Sequence, residues 1–292
     1  MLAVPEREPS ASRWASRTAL FSFGLIVAAA FLHRLFGMPT PVAFNLLVVA
    51  LGVAVLAILS AVIAAAIIWN TGRPGTARVL FAVCFSLVLL AAPVLYLAWV
   101  RNYPLLSDIT TDFDNPPAFA ALARLRGPGD NPVGYDRAFA EEQMRAYSDI
   151  RPMTIARSSE EAYALVVDAV KRLRMERERE DPPDLEKGTP GIIEAVDRTL
   201  ILGLYQDVAI RITGGEESAR VDIRSASRFG HSDMGRNAER VRELMKEIRA
   251  RVDATMPTAE DAREEGAKRG AKPERAGGPK SENRRKSRVR EQ

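Results

Sequence analysis

The sequence predicts three transmembrane α-helices followed by an α+β domain, an antiparallel sheet with helices on one face. Three observations carry that prediction. Almost the whole apolar excess of the 292 residues lies before residue 101. Two runs there, 42–69 and 79–100, hold no charge and exceed the roughly 20 residues that cross ~30 Å of hydrocarbon. Beyond residue 150 the pattern changes: period-two alternation over 207–213 and 220–228 brackets a Gly-Gly turn, and helical spacing returns after Asp233.

Composition narrows the chemistry. The one cysteine, Cys84, sits in an apolar run, which excludes an intramolecular disulfide and any cysteine cluster for zinc or iron and sulfur. With only His33 and His231, an imidazole metal site is not expected either, and no cofactor is implied. The net charge is +4, yet 37 acidic residues accompany 41 basic ones and no long one-signed block falls in the folded part. The basicity belongs to the termini and membrane flanks, so no nucleic-acid partner is expected.

Residues 1–17 form a polar segment carrying Arg7, Arg13 and Arg17, ahead of a first span over about 18–37. A signal peptide opens in the same way, but Phe31, Leu35 and Phe36 prolong this segment, no small-residue cleavage site follows, and two more spans come after it. The spans 42–69 and 79–100 have no polar stripe that would suit a water-exposed helix. Asn45, Ser60 and Ser86 can bond within or between helices, and Pro93 is expected to bend the third span. Trp69, Tyr96, Trp99 and Tyr103 lie at span ends, where amphipathic rings favour the headgroup layer. Orientation follows from short-loop arginines. Placing the N-terminus in the cytoplasm puts Arg7, Arg13, Arg17, Arg73 and Arg78 inside against Arg34 and Arg101 outside. Three crossings then carry the rest of the chain to the periplasmic side of an inner membrane, with the lipid bilayer as first partner.

The stretch 101–150, with five prolines and three glycines, reads as a linker that holds one short helix near 136–147. Within it lies Asp108-Ile-Thr-Thr-Asp-Phe-Asp-Asn-Pro-Pro-Ala-Phe119. Later comes Asp222-Ile-Arg-Ser-Ala-Ser-Arg-Phe-Gly-His-Ser-Asp-Met-Gly-Arg-Asn237. Together these runs resemble the bacterial family called domain of unknown function 1499, over about residues 105–254. Membrane-anchored members are common in that family. The resemblance implies no activity, cofactor or catalytic residue.

The domain proper is expected over 151–254. A short strand at 153–156 precedes Ser158-x-x-Glu161, a capping-box signature for a helix reaching Leu173, with Ala162, Val166, Ala169, Val170 and Leu173 as its buried stripe. Strands are expected at 175–180, 192–196 and 200–205, with a loop over 181–191. Pairing Ile212 with Val221, Ile210 with Ile223 and Val208 with Ser225 brings the apolar faces of the hairpin together. That register sets Arg211 opposite Asp222 and Asp207 diagonal to Arg224. The last helix covers the apolar face with Val241, Leu244, Met245, Ile248 and Val252. The tail, 257–292, holds too few large apolar residues to fold and is expected to be disordered. Its basic cluster, Arg284 to Arg290, suits anionic lipid or another polyanion.

The charged face of the hairpin has two readings. One is a solvated surface knitted by ion pairs. The other is a ligand-binding surface in which Arg211, Arg224 and Arg228 offer forked donors to an anion, and the corner of His231, Asp233 and Asn237 adds a helix N-terminus. The functional expectation is a binding or interaction module in the cell envelope, whose partner is an anionic small molecule, a lipid or an envelope protein. One rival is an enzyme using the Arg228, His231 and Asp233 corner, since an imidazole beside a carboxylate can shuttle protons; Ser232 or Asp233 is equally what a helix N-cap requires. The other rival is a transport-associated membrane subunit, disfavoured by spans without charge.

Overall fold

The computed structural model describes residues 7–199 and 202–255. The tail expected to be disordered, residues 1–6, and Leu200 and Ile201 lie outside the described residues. Three helices open the chain: α1 (Ser10–Phe36), α2 (Thr40–Thr71) and α3 (Thr76–Val100). Each is long and apolar enough to cross a membrane. The first begins eight residues ahead of the apolar run, so Arg13 and Arg17 are helical. Gly37 and Gly72 end α1 and α2 in the left-handed conformation that spares glycine a side-chain clash.

The bundle packs through small residues. Ala50, Ala54, Ala57, Ala61 and Ala64 alternate steps of four and three along α2 and are fully buried, while Leu56, Leu59, Val62 and Ile63 point outward. Close backbone approach lets Ser22 Oγ donate to Ala50 O at 2.7 Å across α1 and α2. Large side chains outside and alanines inside suit a lipid solvent, where helix contacts come from backbone proximity rather than from hydrophobic exclusion. At one end of the bundle Arg78 pairs with Glu8 at 3.0 Å; the turn from α1 to α2 and the α+β domain lie at the other.

The domain is a six-stranded antiparallel sheet. Its strands are β1 (Asp108–Thr110), β2 (Met153–Ile155), β3 (Glu176–Asp181), β4 (Gly191–Arg198), β5 (Tyr205–Gly214) and β6 (Ala219–Ser227), ordered β1-β6-β5-β4-β3 with β2 also pairing β6. Ile212 faces Val221, Ile210 faces Ile223 and Val208 faces Ser225, the register that apolar alternation demands. The strand expected at 200–205 falls in part on Leu200 and Ile201, outside the described residues, and Tyr205 opens β5. Thr199 donates to Leu204 O at 3.0 Å, and its hydroxyl accepts the Leu204 N–H at 2.9 Å, which draws the ends of β4 and β5 together. The charged strand β3 lies at the sheet edge, where alternating Glu and Arg discourage pairing with other chains.

Helices α4 (Phe139–Ala146), α5 (Ser159–Arg172) and α6 (Arg236–Ala254) complete the domain. The Ser158 hydroxyl caps α5 by accepting the Glu161 N–H at 3.2 Å. Val166 and Val170 of α5 and Val241, Leu244 and Ile248 of α6 bury against Ile193, Val208, Ile210, Ile212, Val221 and Ile223. Each such side chain contributes roughly 1.5–3 kcal/mol, and this is the main core.

The opposite face of the sheet is covered too. The stretch expected to be a linker supplies β1, which pairs antiparallel with β6, and a 3-10 turn at Leu122–Leu125, and it lies across β4, β5 and β6. Phe119 and Leu122 bury on Val196, Ala209 and Ala226. The anchor of this cover is Glu194, fully buried in the middle of β4. Its carboxylate accepts the backbone N–H groups of Ala120, Ala121 and Leu122 at 3.0, 3.2 and 3.0 Å, and Arg179 Nη1 at 3.1 Å. Replacing Glu194→Ala strands those donors and is expected to cost about 3 kcal/mol. Thermal melting of the purified full-length protein and faster tryptic cleavage after Arg124 would register the loss; an unchanged melting curve would refute the anchor.

Candidate functional site

The outer face of the sheet is not solvated, and the expectation that it would be fails for a physical reason. Its charges are screened from water by residues 108–133, so each needs a partner inside the protein. Arg224 is 3 % exposed. Its Nε donates to Asp108 Oδ1 at 3.0 Å and its Nη2 to Asp108 Oδ2 at 2.6 Å and Val133 O at 2.9 Å, while the guanidinium lies 4.4 Å from the Phe119 ring centroid. The diagonal contact expected with Asp207 is replaced by this pair. Asp207, fully buried, instead accepts Arg228 Nε on Oδ1 and Arg126 Nε on Oδ2, both at 2.8 Å. Arg126 Nη1 also holds Asn131 O and Pro132 O.

Arg211 is the least enclosed of the three predicted arginines. Its Nη2 donates to Asp222 Oδ2 at 3.0 Å, across the hairpin, and to Asp112 Oδ2 at 2.9 Å. The neighbouring Arg220 reaches the same two carboxylates, Asp222 Oδ1 at 3.0 Å through Nε and Asp112 Oδ2 at 3.0 Å through Nη2. Two guanidiniums thus converge on one oxygen of a loop aspartate, and the Arg220 side chain is 47 % exposed. This is where the charged face reaches solvent.

The predicted corner separates. Arg228 points to Asp207 on the covered face. His231 is exposed and makes no hydrogen bond or ion pair among the described residues. Asp233 and Asn237 meet on the helix side, where Asp233 Oδ1 accepts the Gly235 N–H at 2.9 Å and Oδ2 accepts the Asn237 N–H, capping α6. The Asn237 side chain accepts Ser225 Oγ at 2.8 Å and donates to Ser107 O at 2.9 Å. That is a structural bracket between α6, β6 and the entry to β1.

Residues 108–248 match the family model described as Protein of unknown function (DUF1499). The domain belongs to the DUF1499 family. No curated protein matches the chain. Both sequence runs that carry the resemblance lie at this ionic seam: Asp108 and Asp112 come from the first, and Asp222, Arg224 and Arg228 from the second. The partners Asp108, Asp112, Arg126 and Glu194 were not anticipated as members of this buried ionic seam. Glu194 did carry a signal, a lone carboxylate between Ile193 and Ala195 in a strand buried on both faces.

Burial pushes the Asp108 carboxyl above its ordinary range, outweighing the opposing pull of Arg224. Burial likewise raises Asp233, against the backbone N–H bonds from Asn237 and Gly235. Removing the counter-charge with Arg224→Ala leaves Asp108 buried and unpaired, with an expected loss of about 3–5 kcal/mol in a thermal or chaotrope melt. His231→Ala should stay within about 0.5 kcal/mol of the parent in the same assay. For Asp233 the folded-state pKa exceeds the unfolded one, so the folded form takes up its proton first as pH falls. The stability of the parent relative to Asp233→Asn should therefore improve from about pH 7 towards pH 4; a gap that widens against the parent would reverse the sign.

Proposed function

We propose that the chain is a multi-pass protein of the inner (cytoplasmic) membrane that displays its DUF1499 domain on the periplasmic side as a binding or interaction module. The observation that carries the binding reading is the convergence of Arg211 and Arg220 on Asp112. A loop carboxylate bridged by two guanidiniums at 2.9 and 3.0 Å occupies the position that a carboxylate or phosphate of a partner would take. The loop of Asp112 also bonds itself, through the N–H groups of Asp114 and Asn115 to Asp112 Oδ1. The Asp112 backbone stays fixed by the Thr110 hydroxyl, so a rotation of the Asp112 side chain alone leaves Arg220 and Arg211 to an anionic group. The buried pairs behind it, Arg224 with Asp108 and Arg228 with Asp207, hold the two strands in place.

Orientation is supported by the short-loop arginines; the domain and the turn between α1 and α2 share one side, as an odd number of spans requires in either orientation. In intact cells, a membrane-impermeant maleimide should label Glu216→Cys in a Cys84→Ala background; labelling only after lysis would reverse the topology. Native mass spectrometry of the full-length protein released from membranes should show a bound anionic molecule whose affinity falls about tenfold in Arg220→Gln, equivalent to roughly 1.4 kcal/mol. An adduct unaffected by that substitution would place binding elsewhere.

A further inference from the structure

Three loops of the domain lie against the corner where α1 turns into α2. At Gly203 an added Cβ would stand 2.9 Å from Arg34 Cδ, and at Gly129 one would stand 3.0 Å from Pro41 Cγ. The Phe229 ring lies 5.6 Å from the Phe44 ring, centroid to centroid. Two of these loops, those of Gly129 and Phe229, are also tied to each other: Asn131 Nδ2 donates to Ser227 O at 2.9 Å and to Gly230 O at 2.8 Å. Phe44 is the fifth residue of α2, about 6 Å along the helix from its first residue. A ring packed on it therefore reaches below the end of the span, to the depth where headgroups give way to acyl chains.

The same end of the domain exposes large apolar side chains, which a water-facing loop cluster does not require. Leu105 is 63 % exposed, Leu202 57 % and Leu125 47 %. Arg34 and Arg124 are exposed there without an ion pair among the described residues. Trp99 and Tyr103, with ring centroids 5.4 Å apart, mark the interfacial level at the end of α3. Apolar side chains ringed by unpaired arginines at the mouth of a membrane bundle match a phospholipid interface, apolar below and anionic above.

We propose that this end is a lipid-contacting rim. Leu105, Leu125, Leu202 and Phe229 seat in the acyl boundary of the bilayer that the three helices span, and Arg34 and Arg124 hold lipid phosphates. The inference rests on the membrane-spanning part of the proposed function and not on which side the domain occupies. Seated in this way the domain cannot swing freely. The turn between β5 and β6 then stands at the far end of β5, about 30 Å along the strand from the rim.

The test uses full-length protein with Cys84→Ala, carrying a nitroxide on one cysteine at a time: Leu202→Cys, Glu216→Cys at the far turn, or Val55→Cys within α2. The protein is placed in nanodiscs of phosphatidylcholine and phosphatidylglycerol, and collisions with oxygen and with a water-soluble nickel complex are compared. A lipid-seated rim gives position 202 an oxygen-to-nickel ratio several-fold above position 216 and approaching position 55. Equal ratios at 202 and 216 overturn the rim. Protection of 202 from both reagents overturns it in favour of a protein neighbour or second copy. A low ratio at 55 would instead defeat the membrane-spanning reading itself, which separates the two failures.

Discussion

Carboxylates that cannot reach water organise the α+β domain. Glu194, Asp207 and Asp222 project from the middle strands away from the helices, and none is more than 1 % exposed. A buried carboxylate costs several kcal/mol unless donors meet it. The donors come from two sources, the neighbouring strand and residues 108–133. Arg211 and Arg228 serve from within the sheet or its end, whereas Arg126 and the three N–H groups of residues 120–122 come from the cover. Asp108 inverts the scheme, a carboxylate of the cover that meets Arg224 of the sheet. The covering segment is therefore not an adornment on a finished sheet; without it the sheet would carry unpaired charges, and without the sheet it has little apolar surface of its own.

The membrane helices and the helix-side core were legible because one principle governs each. Uncharged runs longer than a bilayer admit one reading, and the alternation of Val208, Ile210 and Ile212 against Val221, Ile223 and Ser225 fixes the hairpin register without further information. The last helix was legible for the same reason, in Val241, Leu244, Met245 and Ile248. Residues 101–150 were misread as a linker because proline and glycine density reports what a segment cannot be. It cannot be a long helix or a central strand, but an edge strand of three residues and a 3-10 turn need neither. The candidate site followed from that error. Arg224 and Arg228 look like free donors when the opposite face is assumed open; in the fold Asp108, 116 residues away in sequence, engages Arg224, and Asp207, at the other side of the hairpin, engages Arg228.

The division of labour that results is simple. One face of the sheet holds the apolar core with α5 and α6, and the other holds an ionic seam that fastens the chain emerging from the membrane. The two meet at Asn237, which links α6, β6 and the backbone just before β1. The seam opens to solvent at Arg211 and Arg220, and the domain meets the end of the bundle where Phe229 packs on Phe44.

The central claim is that residues 108–133 are part of the cooperative fold and not a connection lying on it. Native-state hydrogen exchange on the full-length protein in nanodiscs tests this directly. The amides of Thr110, Thr111 and Leu122 should exchange with the same opening free energy as those of Ile210 and Ile223, and respond to chaotrope with the same slope. Exchange at the rate of an exposed loop in 108–133, while β5 and β6 remain protected, would contradict it.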